Sequence, residues 1–387
     1  MSLPDYNGGN LINLMSSLEK GMGGSSKYPH LTLLKPSEIS GYKNVILLII
    51  DGLGYNYILK KGGSGFLKNN LRGKLTTVFP AVTSSAIPSI LSGRSPQENG
   101  MAGWHIYLDE LDEIIISLRY IYTKNKKAIL GKKNSIDKIF KFDPMGDRIK
   151  RDSFIVQSNK IINSDFSVSS GGNSKRIGFK DIKGCFKNLE KVIKSSSKKK
   201  YIYGYWMDFD SMCHDHGVIS KEVHNHYRDL DEKISLFVDS IKGTDSLVVI
   251  TSDHGMIDVP KKKVITVGDH PELQEMLALP LCGDFRFAFC YVKPGMQKKF
   301  KKYVKDNLKH CCEIYESKTL QKKGVFGSFK PHKKFLNRIG DYTIIMNENY
   351  AIYNYSLEKG ESHNLGDHGG LSEDEMHIPL IVIDPDK

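Results

Sequence analysis

The chain has 387 residues, of which 40% are hydrophobic and 26% are charged, a composition typical of a soluble globular protein with a large core. The formal net charge of +12 comes partly from lysine runs without interleaved aromatic residues, which indicates solvated loops rather than a nucleic-acid platform. No apolar run approaches the ~18 residues that span a bilayer, and the N-terminus lacks the features of a signal peptide. Six irregularly spaced cysteines argue against a zinc ribbon or disulfide framework and predict a reducing, cytoplasmic setting.

Apolar runs of strand length alternate with amphipathic stretches, which predicts an α/β layer architecture with a buried, mostly parallel sheet. The predicted strands are, in chain order, residues 44–50, 74–79, 154–157, 201–206, 246–251, 287–292, 343–346 and 378–383. The clearest helix follows Ser220 as N-cap, because apolar residues recur at three- and four-residue steps over 223–241. Another helix is predicted from Thr83 to Ser92, ending at Gly93, provided that Pro88 sits near its start.

The pattern predicts three segments. Residues 28–270 and 358–387 form the core. Residues 271–357 carry strand and helix signals of their own, including a basic amphipathic run over 296–310, and are predicted to form a small inserted α+β subdomain that caps the core. Residues 1–27 are predicted to be an N-terminal extension packed on or near the core.

Asp51 follows the first apolar run and precedes Gly52, so it ends a predicted buried strand. In open α/β sheets the carboxyl ends of the strands border the crevice where ligands bind. On this segment alone, a helix N-cap is an equally good interpretation of Asp51.

Thr83 begins a predicted helix and is the candidate nucleophile. A hydroxyl is a weak nucleophile near neutral pH, and coordination to a metal ion lowers its pKa. The helix N-terminus offers free N–H groups to phosphate oxygens, with the N–H of Ser84 as the predicted donor. From this segment alone, an N-cap role for Thr83, Ser84 or Ser85 is the simpler interpretation.

Asp210 and His214 are four residues apart. On a helical turn this spacing places both side chains on one face, where both can reach one cation. A carboxylate with an imidazole suits zinc or a similar divalent ion. In isolation, a solvent-facing Asp–His pair would be the simpler interpretation.

Two Asp-His-Gly triplets complete the set of candidate ligands. The first contains Asp253 and His254 and ends the most strand-like run in the chain. A single Asp-His-Gly triplet is explained by a polar turn, but a second copy favours a functional role for these residues. In that copy His368 is the predicted ligand and Asp367 is predicted to orient it, with His363 as a less favoured substitute.

Together these segments resemble the alkaline phosphatase superfamily and, within it, the type I phosphodiesterase/nucleotide pyrophosphatase family. The resemblance runs from residue 44 to residue 383, through VILLIIDGLG, TSSAIPSILSG, a DxxxH element and the two DHG triplets. It implies that one zinc is held by Asp210, His214 and His368. It implies that the other is held by Asp51, Asp253 and His254, with Thr83 bound at it. The stretches LPLCGDFRF, RIGDYTII and HGGLSEDEMHIPLIV are most similar to the compact microbial branch.

The chain departs from the family pattern around the substrate. Nucleotide-cleaving members follow the nucleophile with Phe-Pro-Asn, whereas here Ser84 begins the sequence Ser-Ser-Ala. Tyr205 matches the other aromatic that clamps a nucleobase, although tyrosine is common in strands. The phosphate-contacting Asn of the family falls on Trp104. Ser84, Trp104 and Tyr205 are therefore the predicted substrate contacts.

The resemblance implies an alkaline-phosphatase-like three-layer core and a two-metal hydrolase. Phosphodiester or pyrophosphate bonds, possibly in nucleotides, would be cleaved through a covalent phospho-threonine. The implied cofactors are two divalent ions, zinc or else manganese, and the implied substrate is a small phosphate ester, with no nucleic-acid or membrane partner. One alternative is a phosphomonoesterase, which would place a cation such as Arg94, Arg286 or Arg338 at the phosphate. Another is a non-catalytic, metal-stabilised binding homologue, which would have no need for Thr83.

Overall fold

The computed structural model describes residues 1–131, 135–354 and 363–387. Its strands are β1 (Asn44–Ile50), β2 (Leu71–Thr76), β3 (His105–Leu108), β4 (Glu113–Ile116), β5 (Ile121–Tyr122), β6 (Asp152–Ser158), β7 (Lys175–Phe179), β8 (Lys200–Trp206), β9 (Ser246–Thr251), β10 (Ile257–Asp258), β11 (Val264–Thr266), β12 (Cys282–Asp284), β13 (Phe287–Cys290), β14 (Cys312–Glu316), β15 (Tyr342–Met346), β16 (Ala351–Tyr353), β17 (Gly366–Asp367) and β18 (His377–Ile383). Its α-helices are α1 (Leu11–Gly21), α2 (Ser37–Ser40), α3 (Tyr55–Lys61), α4 (Phe66–Asn69), α5 (Thr83–Ser92), α6 (Pro96–Asn99), α7 (Ile136–Ile139), α8 (Asp165–Gly171), α9 (Ile182–Lys194), α10 (Asp208–His216), α11 (Lys221–Ser240), α12 (Pro271–Met276), α13 (Gln297–Asn307), α14 (Ser317–Lys322), α15 (Phe335–Arg338) and α16 (Glu373–Met376).

A seven-stranded sheet with the order β2-β18-β9-β1-β8-β6-β7 forms the centre of the fold. Strand β1 pairs in parallel with β8 and β9, and β6 pairs in parallel with β7 and β8. Strand β18 runs in the opposite direction and pairs antiparallel with β2 and β9. The predicted α/β class with a mostly parallel sheet is confirmed.

Strand β1 explains why this sheet is buried on both faces. All seven of its residues are buried. Residues 45, 47 and 49 pack into an apolar cluster with α1 and α5, whereas residues 46, 48 and 50 pack into a second cluster with α9 and α11. Because successive side chains of a strand point to opposite faces, the near-continuous apolar run requires a helical layer on each side. The result is the expected three-layer core.

The two predicted helices are present with the expected ends. Helix α11 follows Ser220, whose hydroxyl accepts a hydrogen bond from the Val223 N–H at 3.2 Å. Helix α5 ends at Gly93, which has a φ of 62° that glycine adopts without steric strain. Pro88, however, lies inside α5 rather than near its start. Since proline has no N–H, it gives the carbonyl of Ser84 no helical hydrogen bond.

A second seven-stranded sheet has the order β14-β15-β13-β12-β3-β4-β5. Its strands come both from the predicted insertion, residues 271–357, and from residues 105–122, which belong to the predicted core segment. The two parts meet where β12 pairs with β3 through Gly283 and His105. Residues 271–357 therefore do not complete this sheet alone, and the predicted boundary between residues 357 and 358 lies outside the described residues.

The N-terminal segment contributes to the apolar core. Asn10 caps α1 by accepting a hydrogen bond from the Ile12 N–H at 2.9 Å, and nearly all residues of α1 are buried.

Strand β2 begins and ends three residues earlier than predicted, because its pairing with β18 extends to Thr76 opposite His377. Within the parts of the chain that the structure describes, no helix combines the length and apolarity needed to cross a membrane.

Candidate active site

The carboxyl ends of β1 and β9 bring the first acidic residues together. These strands are adjacent and parallel, and Ile49 lies opposite Thr251. Asp51 and Asp253, which follow the two strands, therefore meet at the same edge of the sheet. Both side chains are buried, with relative exposures of 3% and 0%.

Asp51, Asp253 and His254 form one group of potential metal ligands, with one ligand atom from each within 4.8 Å of the others. The Nε2 atom of His254 lies 3.4 Å from Asp51 Oδ1 and 3.5 Å from Asp253 Oδ2. Asp253 Oδ1 accepts hydrogen bonds from the N–H groups of Gly52 and His254, at 3.2 and 3.0 Å. The other oxygen, Oδ2, is buried without a hydrogen-bond partner among the described residues, and a cation would satisfy it.

A second group contains Asp210, His254 and His368, again with ligand atoms within 4.8 Å of one another. His368 Nε2 lies 3.6 Å from Asp210 Oδ1, an oxygen with no hydrogen-bond partner in the described chain. His214, on the same helix as Asp210, places its Nε2 atom 3.3 Å from Asp210 Oδ2. His214 is thus beside this group rather than within its compact set, and His254 lies between both groups.

The three histidines present the same ring nitrogen to the carboxylates. Their Nδ1 atoms face backbone carbonyl oxygens: His214 faces Gly366 at 2.8 Å, His254 faces Gly255 at 3.1 Å and His368 faces Ala81 at 3.1 Å. Because a carbonyl can only accept, Nδ1 carries the proton in each of these contacts. Each Nε2 then offers a lone pair to a cation, the orientation that carbonyl partners impose on metal-binding histidines.

Burial and neighbouring charges shift the pKa values of the candidate ligands. Burial, followed by the charges of Asp253 and Asp210, raises the pKa of Asp51 well above its usual value. Burial and the neighbouring His254 ring lower the pKa of His368. Burial also lowers the pKa of His214, but the charge of Asp210 and its hydrogen bond outweigh burial and raise that pKa to about 10. Buried carboxylates at this density fit divalent cations, which would neutralise them.

Thr83, the predicted nucleophile, lies at the first ligand group. It is the first residue of α5, and its Oγ1 atom is 3.0 Å from His254 Nε2 and 3.5 Å from Asp51 Oδ1. Ser84 follows it and is buried. Its N–H has no acceptor within the described parts of the chain and is available at the helix N-terminus.

A cavity of about 600 Å³ opens onto these residues. It is lined by Val82, Thr83, Ser84, Trp104, Arg119, Asp210, Ser211, His214, Asp284, Phe285, Asn364, Asp367 and His368. Trp104 and Ser84, two of the predicted substrate contacts, line this cavity. Tyr205, the third, is 6% exposed and absent from the cavity wall, and its hydroxyl donates to Asp51 Oδ2. The structure thus places the Tyr205 hydroxyl against the candidate ligand Asp51 and not in the cavity wall.

Sequence reasoning missed Arg119 and Asp284 in the cavity wall, because neither belongs to a spaced motif.

The three arginines considered for phosphate binding are paired elsewhere: Arg94 with Asp143, Arg286 with Glu375 and Arg338 with Glu110, each at 2.9 Å. His363, the substitute ligand, lies beside Tyr353 with ring centroids 6.4 Å apart and belongs to neither ligand group.

The fold and this site define an alkaline-phosphatase-like hydrolase. The model of the family described as type I phosphodiesterase/nucleotide pyrophosphatase matches residues 45–371, so the chain belongs to that family. Among curated proteins, none matches the chain in sequence.

Solved structures share the fold. Murine ectonucleotide pyrophosphatase/phosphodiesterase 5 aligns with a TM-score of 0.66 and 17% identity, over 87% of each chain. An inactive variant of the murine protein in complex with AMP aligns with a TM-score of 0.66 and 17% identity, over 88% of each chain. Phosphonoacetate hydrolase from Sinorhizobium meliloti, in complex with phosphonoformate, aligns with a TM-score of 0.63 and 17% identity, over 88% of this chain and 90% of the other.

Proposed function

We propose that the protein hydrolyses phosphodiester or pyrophosphate bonds in small substrates, nucleotides among them, through a phospho-threonine on Thr83. The observation that carries this proposal is the position of Thr83 Oγ1, 3.0 Å from His254 Nε2 and 3.5 Å from Asp51 Oδ1. A hydroxyl in that position is poised for activation and lines the cavity that a substrate would enter.

Two divalent cations fit the donor set. Asp51, Asp253 and His254, with Thr83, would hold one ion. Asp210, His214 and His368 would hold the other. Carboxylate and imidazole donors suit zinc, with manganese as the alternative. When bound, such ions would lower the pKa of the Thr83 hydroxyl and neutralise charge on the phosphoryl oxygens.

The reaction would proceed in two displacements at phosphorus. The Thr83 hydroxyl gives up its proton to solvent, Oγ1 forms a bond to phosphorus, and the leaving-group oxygen departs with the electrons of the broken P–O bond. Water then attacks the same phosphorus and breaks its bond to Thr83, which regains a proton. The free N–H of Ser84 would donate to a phosphoryl oxygen in both steps, stabilising the charge that develops there.

The solved relatives support these assignments in part. The murine protein crystallised with AMP is described as inactive and carries a threonine-to-alanine substitution. This supports a threonine with a role like that of Thr83 and a nucleotide as one substrate class. Asp284 and Phe285, from residues 271–357, line the cavity. We therefore assign this segment a capping role that influences leaving-group choice.

Two further features bear on the alternatives. The placement of Thr83 among the ligand groups disfavours a purely metal-stabilised binding protein. Arg119 in the cavity wall keeps a phosphomonoesterase as the second candidate, because a monoester carries an extra negative charge.

The test compares a bis-aryl phosphodiester, an aryl nucleotide ester and an aryl phosphomonoester with protein loaded with zinc or manganese. Thr83→Ala should abolish turnover. Ser85→Ala is the matched control, because Ser85 lies two residues further along the same helix and outside the cavity wall. Diester turnover that survives in Thr83→Ala, or that is insensitive to chelation, would overturn the proposal, and a monoester preference would establish the second candidate.

A further inference from the structure

Arg119 is the single arginine or lysine among the described residues that line the cavity. The acidic residues on the same wall are Asp210, Asp284 and Asp367, and none of them forms an ion pair with it. No other carboxylate of the described chain pairs with it either. The Arg119 side chain is exposed to the cavity and to solvent. An arginine in the wall of this cavity that has no counter-ion among the described residues is available to bind an anion.

Trp104 supports the Arg119 side chain. The guanidinium carbon lies 5.6 Å from the centre of the indole ring, within the range of a cation–π contact. A guanidinium held over an aromatic ring keeps its planar set of N–H donors available for a carboxylate or phosphate. The cation thus has a defined position without losing its capacity for hydrogen bonding.

The backbone around this pair is also fixed. The Ser117 N–H donates to the Trp104 carbonyl at 2.9 Å, and the Ser117 hydroxyl donates to the Gly103 carbonyl at 2.7 Å. Tyr120, on the other side of Arg119, is 1% exposed. The turn that carries Arg119 is therefore anchored on one side to the segment that carries Trp104, through Ser117, and on the other side to the apolar core, through Tyr120.

We propose that Arg119 binds a second anionic group of the substrate, a carboxylate or phosphate carried in addition to the phosphoryl group that Thr83 attacks. Trp104 positions the guanidinium for this contact. The inference rests on the proposed function and narrows it to phosphate esters with a further negative charge. Charge-assisted hydrogen bonds of this kind correspond to a preference of roughly 10- to 100-fold over an analogue that lacks the second anionic group.

The test uses diesters that share the para-nitrophenolate leaving group: phenyl para-nitrophenyl phosphate, its meta-carboxyphenyl analogue and its meta-phosphophenyl analogue. With zinc-loaded wild-type protein, kcat/KM for at least one of the carboxylated and phosphorylated diesters should be roughly 10- to 100-fold higher than for phenyl para-nitrophenyl phosphate. Comparing the two charged diesters identifies which anion is preferred. Arg119→Gln should bring the ratio of kcat/KM between the carboxylated or phosphorylated diester and phenyl para-nitrophenyl phosphate close to one, whereas Arg119→Lys should retain part of the preference. Arg176→Gln, an exposed substitution on the edge strand β7, removes the same charge elsewhere and should preserve the wild-type ratio.

The outcomes separate this inference from the proposed function. Turnover of phenyl para-nitrophenyl phosphate with no preference for either diester that carries an additional anionic group, or a preference that survives in Arg119→Gln, would overturn the inference alone. If no diester is cleaved, the proposed function fails, and calorimetric binding of phenyl phosphate and meta-carboxyphenyl phosphate decides the role of Arg119. Tighter binding of the carboxylated compound that is lost in Arg119→Gln supports the inference, and equal loss in Arg176→Gln, or no loss in Arg119→Gln, refutes it.

Discussion

Arg286 and Glu375 form an ion pair that joins the second sheet to the loop carrying His368. The Nε and Nη2 atoms of Arg286 donate to the two carboxylate oxygens of Glu375, each at 2.9 Å, and both side chains are completely buried. Glu375 Oε1 also accepts a hydrogen bond from the Gly370 N–H at 2.8 Å. Because Gly370 is two residues from His368, the ion pair fixes the path of the segment that carries this candidate ligand.

Glu375→Gln should reduce the free energy of unfolding by about 3–5 kcal/mol, because it leaves the Arg286 charge buried without its partner. Denaturant unfolding measures the change. Glu190→Gln, which breaks an exposed pair with Lys194, is the matched control and should change stability by less than about 0.5 kcal/mol. Equal effects of the two substitutions would contradict a structural role for the buried pair.

Asp210→Asn should lower the bound metal from two ions per chain to one, because it removes the carboxylate that faces both His214 and His368. Metal content after dialysis, measured by mass spectrometry, gives the stoichiometry. Asp208→Asn is the control, since Asp208 begins the same helix but belongs to neither ligand group. Two ions retained in Asp210→Asn would show that Asp210 is not a ligand.

Tyr205→Phe should weaken metal binding by roughly 10-fold, because it removes the hydroxyl that donates to the Asp51 carboxylate. Tyr203→Phe is a close control: Tyr203 is on the same strand, and its buried hydroxyl has no hydrogen-bond partner within the described residues. Zinc affinity measured by competition with a chelator distinguishes the two. If Tyr205→Phe altered the preference between nucleotide and aryl esters with unchanged zinc affinity, the hydroxyl would be acting on the substrate instead.

The stability of the metal-free protein should fall as the pH rises from about 7 to 9. Asp210 raises the pKa of His214 to about 10 in the folded state, against the ordinary value of about 6.5 in the unfolded chain. Above pH 6.5 the unfolded state loses this proton and the folded state keeps it, so the stabilisation is lost as the pH approaches the folded pKa. Unfolding curves should show a decline on the order of 1–3 kcal/mol over this interval. His214→Asn should flatten the dependence, and an identical slope in that variant would assign the decline to other groups.

Much of the fold and of the candidate chemistry could be predicted locally. The apolar run before Asp51 and the one before Asp253 each predict a buried strand, and parallel strands place such residues at a common edge. The four-residue spacing of Asp210 and His214 and the capped start of α11 also depend on short-range geometry. These features are encoded by neighbours in the sequence, so they are visible without the tertiary structure.

Other features depend on which distant segments pack together. Residues 105–122 join strands from residues 282–346 in one sheet, because β3 pairs with β12 where His105 lies opposite Gly283. This pairing brings Arg119 and Trp104 to the cavity. The same packing turns Tyr205 toward Asp51 and places Arg286 against Glu375. The sequence by itself therefore determined the central sheet and the candidate ligands, whose signals are local. Only the tertiary structure decided which side chains surround them, because burial and long-range strand pairing select those neighbours.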